Sequence, residues 1–233
     1  MPDLSVLEGL LGVSFSKISR LEQALVHDSY LNENPGIVSV SNERLEFLGD
    51  AVLGFIIAEK LYRDFPGRSE GEMSRFRAAL VRRDTLARLA NDIKLGEYLY
   101  LGKGEEASGG RKKLVNLASG LEAVIAAIFL DLGLSAARDF IVNLFAATIE
   151  SVVRQGTGSD YKSELQEFIQ AREQRSPTYH LLAKSGPDHD RTFTVEVRLG
   201  STVLGKGSGK SKKAAETEAA LSALKKLSND FTG

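Results

Sequence analysis

Apolar residues recur at helical spacing through most of the first 150 positions of this chain. They fall every three or four residues in four segments, 18–31, 42–65, 71–93 and 117–133, which is the period of a helix with a buried face. Proline or glycine interrupts the pattern between these segments. Since the two-residue alternation of a strand is missing here, the pattern predicts an all-helical domain over residues 1–152.

A different pattern follows residues 153–159, a largely polar, glycine-rich stretch that predicts a linker. A helix is expected over 161–173, and strict alternation in TFTVEVRLG (192–200) predicts the second of three short strands. A last helix with an alanine and leucine face is expected over 211–227. The predicted fold class is therefore multidomain, with an all-α domain followed by an α-β-β-β-α domain of the α+β class over residues 160–229.

Three carboxylates lie on one side of the predicted helix that includes NERLEFLGD. Steps of three and four residues bring Glu43, Glu46 and Asp50 to the same face, where like charges repel. A second predicted helix is apolar on nearly every side around Glu122. Because a buried lone carboxylate is costly unless it is paired or binds a metal, packing of the two helices should bring Glu122 towards Glu46 and Asp50.

Converging carboxylates without a matching set of histidines or cysteines suit Mg²⁺ or Mn²⁺, which prefer oxygen ligands. Such an ion supports hydrolysis of a phosphodiester. The alternative is an amphipathic helix whose acids are simply solvated.

The composition narrows the class of protein. The 233 residues include no cysteine, which excludes disulfides and thiolate zinc sites, and only three histidines, too few for a histidine-rich site. The N-terminal segment lacks the basic region of a secretory signal. No apolar run reaches the ~18 residues that span a bilayer. A cytoplasmic protein without membrane contact is expected.

The excess of positive charge lies in the tail. From residue 160 onwards, 12 basic residues stand against 10 acidic ones, although the whole chain has a net charge of −1. Lys210, Lys212 and Lys213 lie at the start of the last predicted helix, and a helix N-terminus already attracts phosphate. Without exposed aromatic residues for stacking on single strands, the pattern favours recognition of a duplex backbone by its shape. A solvated basic loop is the alternative.

The sequences NERLEFLGDAVL (42–53) and LEAVIAAIFLD (121–131) resemble the signature of bacterial ribonuclease III. The tail is similar to a double-stranded RNA-binding domain, with GPDH at 186–189 and GKSKKAAE at 209–216. The resemblance covers nearly the whole chain and includes the order of the two domains. It implies a homodimeric, Mg²⁺-dependent endoribonuclease, with Mn²⁺ as a substitute ion. Such an enzyme cuts double-stranded RNA to 5′-phosphate and 3′-hydroxyl ends and processes ribosomal RNA precursors and some messenger RNAs.

The resemblance also implies roles for residues of the helical domain. Glu46, Asp50 and Glu122 match the metal-binding carboxylates, and Asp50 and Glu122 also match the catalytic residues. Glu43 matches a residue near the dimer interface, and Phe47 matches an aromatic residue that docks across the dimer. Glu70 and Glu105 match further acids that line the cleavage valley.

In the tail, the resemblance implies contacts to the minor grooves and to phosphates of the RNA. In the first helix, the residues that match the contacts to one minor groove are Ser163, Gln166 and Glu167. His189 matches a loop contact to the adjacent minor groove. The residues that match the family's phosphate contacts are four in a row: Lys210, Ser211, Lys212 and Lys213.

One position of the metal site departs from the family pattern. An aspartate usually stands three residues before Glu122, on the same helix face, and this chain has Ser119 there. A serine can hold a water bound to the metal but adds no negative charge. We therefore expect retained cleavage with weaker metal affinity or a changed preference between Mg²⁺ and Mn²⁺.

Two other functions compete with the endoribonuclease. A non-catalytic double-stranded RNA-binding protein with a degenerate nuclease domain should have lost its carboxylates, and here the only expected carboxylate that is lost is the one at Ser119. A phosphohydrolase acting on small molecules would leave the basic tail without a role.

Overall fold

The computed structural model describes residues 3–37, 39–155, 161–173, 175–187 and 191–229. The chain divides into two compact units, Met1–Arg154 and Gln155–Gly233. Each unit has its own hydrophobic core and is described by itself.

The first unit is helical, as the sequence predicts. Besides its α-helices, the described residues of this unit form two short 3₁₀ turns, Leu95–Glu97 and Gly110–Lys112. One isolated β-bridge joins Val26 and Tyr100. The α-helices are α1 (Leu4–Leu11), α2 (Ile18–Ala24), α3 (Asp28–Glu33), α4 (Glu43–Asp64), α5 (Glu70–Val81), α6 (Arg83–Asp92), α7 (Lys103–Ala107) and α8 (Leu114–Gln155).

Helices α4 and α8 form the centre of this unit's core. Leu53 and Ile57 of α4 are fully buried, as are all residues from 123 to 128 in α8. By length and mean hydropathy alone, α8 is apolar enough to cross a membrane, although Glu122 and Asp131 interrupt its apolar run. More than half of its most apolar window is buried inside the protein, which is the pattern of a core helix.

The segment 18–31, predicted as one helix, is two helices because the backbone between them bonds to a distant segment. The Tyr100 N–H donates to Leu25 O at 2.9 Å, and the His27 N–H donates to Tyr100 O at 3.1 Å. His27 then caps α3, since its Nδ1 accepts the Ser29 N–H at 3.1 Å.

The segment 71–93 is likewise broken. Arg82 is extended, with ψ of 149°, between α5 and α6. The Thr85 hydroxyl donates to Ala79 O at 2.9 Å across the break, which stabilises the turn.

Helix α8 is interrupted at Gly133, where the predicted segment 117–133 ends. The φ of 87° and ψ of 177° at Gly133 are non-helical and accessible to glycine at little cost, and a second helical stretch continues to Gln155. Residues 153–155, predicted as the start of the linker, are thus helical, because Val152 and Val153 pack against the core. The rest of the predicted linker lies outside the described residues.

The second unit has the predicted order of elements. It consists of α9 (Tyr161–Glu173), three strands and α10 (Lys212–Asn229). The strands, β1 (Thr178–Ser185), β2 (Thr192–Leu199) and β3 (Thr202–Gly209), form an antiparallel sheet in the order β1-β2-β3. The fold class predicted from the sequence is confirmed for both units.

Small residues allow α10 to lie directly on the sheet. A Cβ atom at Gly205 would stand 2.5 Å from Ala219 O, and one at Gly207 would stand 2.2 Å from Ala219 N. The alanine face of α10 therefore packs against the backbone of β3, and Ala219 and Ala223 are fully buried there. This packing places the N-terminus of α10 beside α9, where the predicted RNA contacts lie.

Candidate active site and nucleic-acid interface

The backbones of α4 and α8 approach each other closely at Gly49. A Cβ atom at this position would lie 1.8 Å from the carbonyl oxygen of Glu122 and 2.5 Å from its carbonyl carbon. Only glycine permits this approach, because real Cβ atoms essentially never come within 3.0 Å of another heavy atom. The contact brings the beginning of α4, with its carboxylates, against the turn of α8 that carries Glu122.

Three carboxylates influence one another at this crossing. Burial, and then the negative charges of Asp50 and Glu46, raise the pKa of Glu122 to about 7, although Arg83 opposes the shift. A half-buried carboxyl with two like charges beside it is an unfavourable arrangement for the protein alone. The sequence argument that Glu122 should approach Glu46 and Asp50 therefore matches the geometry, whereas the roles of these residues stay predictions.

The chemistry of this set of donors fits a divalent cation. All three groups offer carboxylate oxygens, the ligands preferred by Mg²⁺ and Mn²⁺, and a cation would relieve the repulsion that raises the pKa of Glu122. Within the described ranges, no three His, Cys, Asp or Glu side chains stand close enough together to hold a metal ion in the present side-chain positions. Ser119 lies half-buried one turn before Glu122 in α8.

The other predicted residues of α4 point to the surface. Glu43 is exposed and accepts a hydrogen bond from the Ser41 hydroxyl at 3.1 Å. Phe47 is 81% exposed. It lies on the same helix face as Phe55 and Tyr62, which are 54% and 71% exposed. This apolar strip, defined by Phe47, Phe55 and Tyr62, runs beside the face that carries the acids.

Glu70 and Glu105 differ in their surroundings. Glu70 is exposed in the first turn of α5, accepts the Ser74 hydroxyl at 2.8 Å, and lines a groove of ≈350 Å³ between α4 and α5 that also includes Phe55 and Tyr62. It therefore lies beside the apolar strip.

Glu105 has protein partners of its own. Its two oxygens accept hydrogen bonds from Lys113 Nζ at 2.8 Å and from Asn116 Nδ2 at 2.7 Å. These hydrogen bonds, Lys113 first, lower the pKa of Glu105. Glu105 is thus engaged by Lys113 and Asn116, and its predicted place in the cleavage valley stays a prediction.

Sequence reasoning missed three residues of this region. Gly49 could have been noticed, because a glycine within a helix that is otherwise strongly apolar often marks a close approach of backbones. The sequence gives no indication of the roles of Arg83 and Asn116, because the residues that they interact with, Glu122 and Glu105, are distant along the chain.

In the second unit, predicted RNA contacts from two helices meet at one groove. Ser163 and Gln166 of α9 and Lys212 and Lys213 of α10 all line a groove of ≈630 Å³. Their side chains are exposed, and so is that of Glu167, which is not among the lining residues.

The remaining predicted contacts of the tail are distributed around the start of α10 and beyond it. Lys210 and Ser211 are exposed just before α10. Ser211 caps the helix, because its Oγ accepts the Ala214 N–H at 3.1 Å. His189 lies outside the described residues.

Comparisons with known proteins agree with this architecture. A family model described as Ribonuclease-III-like matches residues 18–149, and the double-stranded RNA binding motif matches residues 161–227. Ribonuclease 3 of Dehalococcoides mccartyi is 54% identical over 232 residues, which cover 100% of this chain and 98% of that protein. Ribonuclease 3 of a Roseiflexus species is 48% identical over 97% of both chains.

Solved structures agree for the helical unit. The nuclease domain of ribonuclease III from Campylobacter jejuni has 37% identity and a TM-score of 0.58, covering 64% of this chain and 97% of that one. A second structure of that domain, with flexibility in a region involved in dimer formation, has 38% identity and a TM-score of 0.57, covering 61% and 95%. From its two matched domains and its similarity along its full length to Ribonuclease 3 of Dehalococcoides mccartyi, the chain belongs to the ribonuclease III family.

Proposed function

We propose that this protein is a Mg²⁺-dependent endoribonuclease that hydrolyses phosphodiesters in both strands of duplex RNA, leaving 5′-phosphate and 3′-hydroxyl ends. The observation that carries the proposal is Glu122, a half-buried carboxyl with a pKa of about 7 beside Asp50 and Glu46. Family membership and the attached RNA-binding unit favour RNA as the substrate.

The protein's own residues would bind and orient the reactants. Glu46, Asp50 and Glu122 would hold Mg²⁺, with Mn²⁺ as a substitute, through their carboxylate oxygens. A bound ion supplies positive charge beside the phosphodiester and makes water more acidic. Gly49 lets α4 lie directly against α8, which brings the backbone of Glu122 beside the turn of α4 that carries Glu46 and Asp50. Ser119 would contribute a neutral hydroxyl to the same face of α8.

The second unit would bind the RNA duplex. Its groove between α9 and α10 carries two lysines on one side and the polar residues Ser163 and Gln166 on the other. Lysines suit phosphates, and short polar side chains suit the shallow minor groove of an A-form duplex, where 2′-hydroxyls are accessible. Lys210 and Ser211 would extend the phosphate contacts, and Glu167 and His189 would extend those to the minor grooves.

A homodimer would complete the enzyme. The apolar strip on α4 leaves three large aromatic side chains more than half exposed, which is a feature of interaction surfaces. The related domain of Campylobacter jejuni has a region involved in dimer formation. In the dimer, Phe47 would dock on the partner, and Glu43, Glu70 and Glu105 would lie along the valley between the two active sites. The physiological substrates would be ribosomal RNA precursors and some messenger RNAs in the cytoplasm.

The test is cleavage of a long RNA duplex in Mg²⁺ by the full chain and by Glu122→Gln. Glu150→Gln is a matched control, because Glu150 is an exposed acid of α8 beyond the interruption at Gly133. We expect cleavage by the parent and the control but not by Glu122→Gln. Cleavage by none of the three would favour a non-catalytic RNA-binding protein, and cleavage by all three would show that the active site lies elsewhere.

A further inference from the structure

The groove between α9 and α10 contains an ion pair that the proposed RNA contacts do not include. Lys162 of α9 lies one residue before Ser163, and Glu216 of α10 lies one turn after Lys212. Lys162 Nζ is 2.6 Å from Glu216 Oε2, and both side chains line the groove. This contact joins two helices that are separated by the whole sheet in sequence.

Tyr179 of β1 forms the floor beneath this pair. Lys162 Nζ lies 4.5 Å from the centroid of its ring, a favourable cation–π distance. The Tyr179 hydroxyl is buried and has no hydrogen-bond partner in the described part of the chain. Burial and then the charge of Glu216 raise the pKa of Tyr179 to about 12, so the ring stays neutral near neutral pH. Lys162 is therefore held from below by the ring and from the side by the carboxylate.

The position of Lys162 distinguishes it from the lysines around it. Lys212 and Lys213 are exposed at the helix start, whereas the Lys162 side chain is 35% exposed and its partner Glu216 is 28% exposed. Because a carboxylate lies 2.6 Å from it, the Lys162 ammonium attracts a phosphate less strongly than an unpaired lysine would. The pair also links α9 to α10, so it bears on the distance between the two helices.

We propose that Lys162 and Glu216 are positioning residues that set the spacing between the minor-groove contacts on α9 and the phosphate-binding lysines on α10, and so make the unit selective for A-form duplexes. The inference rests on the proposed RNA contacts. Domains of this type touch minor grooves and the phosphates of the intervening major groove. The widths of these grooves differ between A-form RNA and B-form DNA, so two contact sets at a constant spacing fit one geometry better than the other.

The experiment measures binding of the full chain, in EDTA to prevent cleavage, to RNA and DNA duplexes of the same sequence over a series of salt concentrations. Duplexes of about 30 base pairs exceed the ~16 base pairs that such a domain covers. The variants are Lys162→Met, Glu216→Gln and the charge reversal Lys162→Glu with Glu216→Lys. Lys226→Met is the matched control, since it removes one exposed lysine from the last turn of α10.

We expect each single variant to reduce the ratio of RNA affinity to DNA affinity by about threefold to tenfold, as for coupled residues in contact. The charge reversal should restore most of this ratio, and Lys226→Met should leave it unchanged. Lys162→Met should keep the salt dependence of the parent, because loss of a true phosphate contact lowers the slope by about 0.9. Melting temperatures are measured alongside, since a pair that only stabilises the fold would lower them without changing the ratio.

Several results would overturn the proposal. An unchanged ratio in both single variants would show that the spacing does not select the duplex, and a lower salt slope in Lys162→Met would show that Lys162 binds phosphate itself. Failure of the charge reversal to restore the ratio would also contradict it. If the parent protein did not bind the RNA duplex at all, the proposed function would be contradicted as well, so the two failures are distinguishable.

Discussion

Replacing Gly49 by alanine tests whether the active site depends on direct contact between α4 and α8. The new methyl carbon would stand 1.8 Å from Glu122 O, and the helices would have to move apart until this distance approached the 3.4 Å of ordinary contact. Both atoms that meet the methyl group most closely belong to the backbone of α8, so no side-chain rotation can relieve the overlap.

Two consequences follow from this displacement. Overpacking of this kind costs about 1–3 kcal/mol of the free energy of unfolding. The shift also separates Asp50 and Glu46 from Glu122, and a misplacement of about 1 Å in an active site can reduce the rate about 100-fold. We therefore expect Gly49→Ala to lower both the melting temperature and the rate of RNA cleavage.

The assay compares kcat for a duplex RNA at saturating Mg²⁺, well below the melting temperature of each variant. Gly9→Ala is the control, because Gly9 lies within α1 and a Cβ there would have no atom within 4 Å. It should keep the rate and stabilise the protein by up to about 1 kcal/mol. A Gly49→Ala protein with the parent's rate and melting temperature would refute the argument that close backbone contact builds the site.

Three further predictions concern the charge and the surface of the helical unit. Ser119→Asp should lower the Mg²⁺ concentration needed for half-maximal cleavage, and an unchanged titration with both Mg²⁺ and Mn²⁺ would contradict the role given to this position. Because the folded-state pKa of Glu122 is raised to about 7 from 4.5, its contribution to stability is present below pH 4.5 and is lost as the pH rises through about 7. The melting temperature in EDTA should thus fall over this interval, with a smaller fall in Glu122→Gln; equal pH profiles would argue against the shift. Phe47→Ala should weaken the dimer without unfolding it, since Phe47 is 81% exposed within the chain; sedimentation showing the parent's association constant would argue against docking of Phe47.

The periodicity of the sequence was sufficient to predict the type of nearly every element. The helices of the first unit and the α-β-β-β-α order of the second follow from apolar spacing, which reports local geometry directly. The breaks at Leu25 and Arg82 could not be predicted in this way, because they depend on hydrogen bonds to Tyr100 and on the Thr85 turn. The spacing of apolar residues continues unchanged through both breaks.

For the site, the sequence by itself determined which acids share a helix face and which carboxylate must be buried in an apolar helix. Only the tertiary structure decided that Gly49 brings these acids together, that Arg83 opposes the pKa shift of Glu122, and that Glu105 is engaged by Lys113 and Asn116. The reason is physical: a helical pattern specifies which face of each helix is buried, but not the point at which two helices cross. The distances between charges, and hence their pKa values, depend on that crossing.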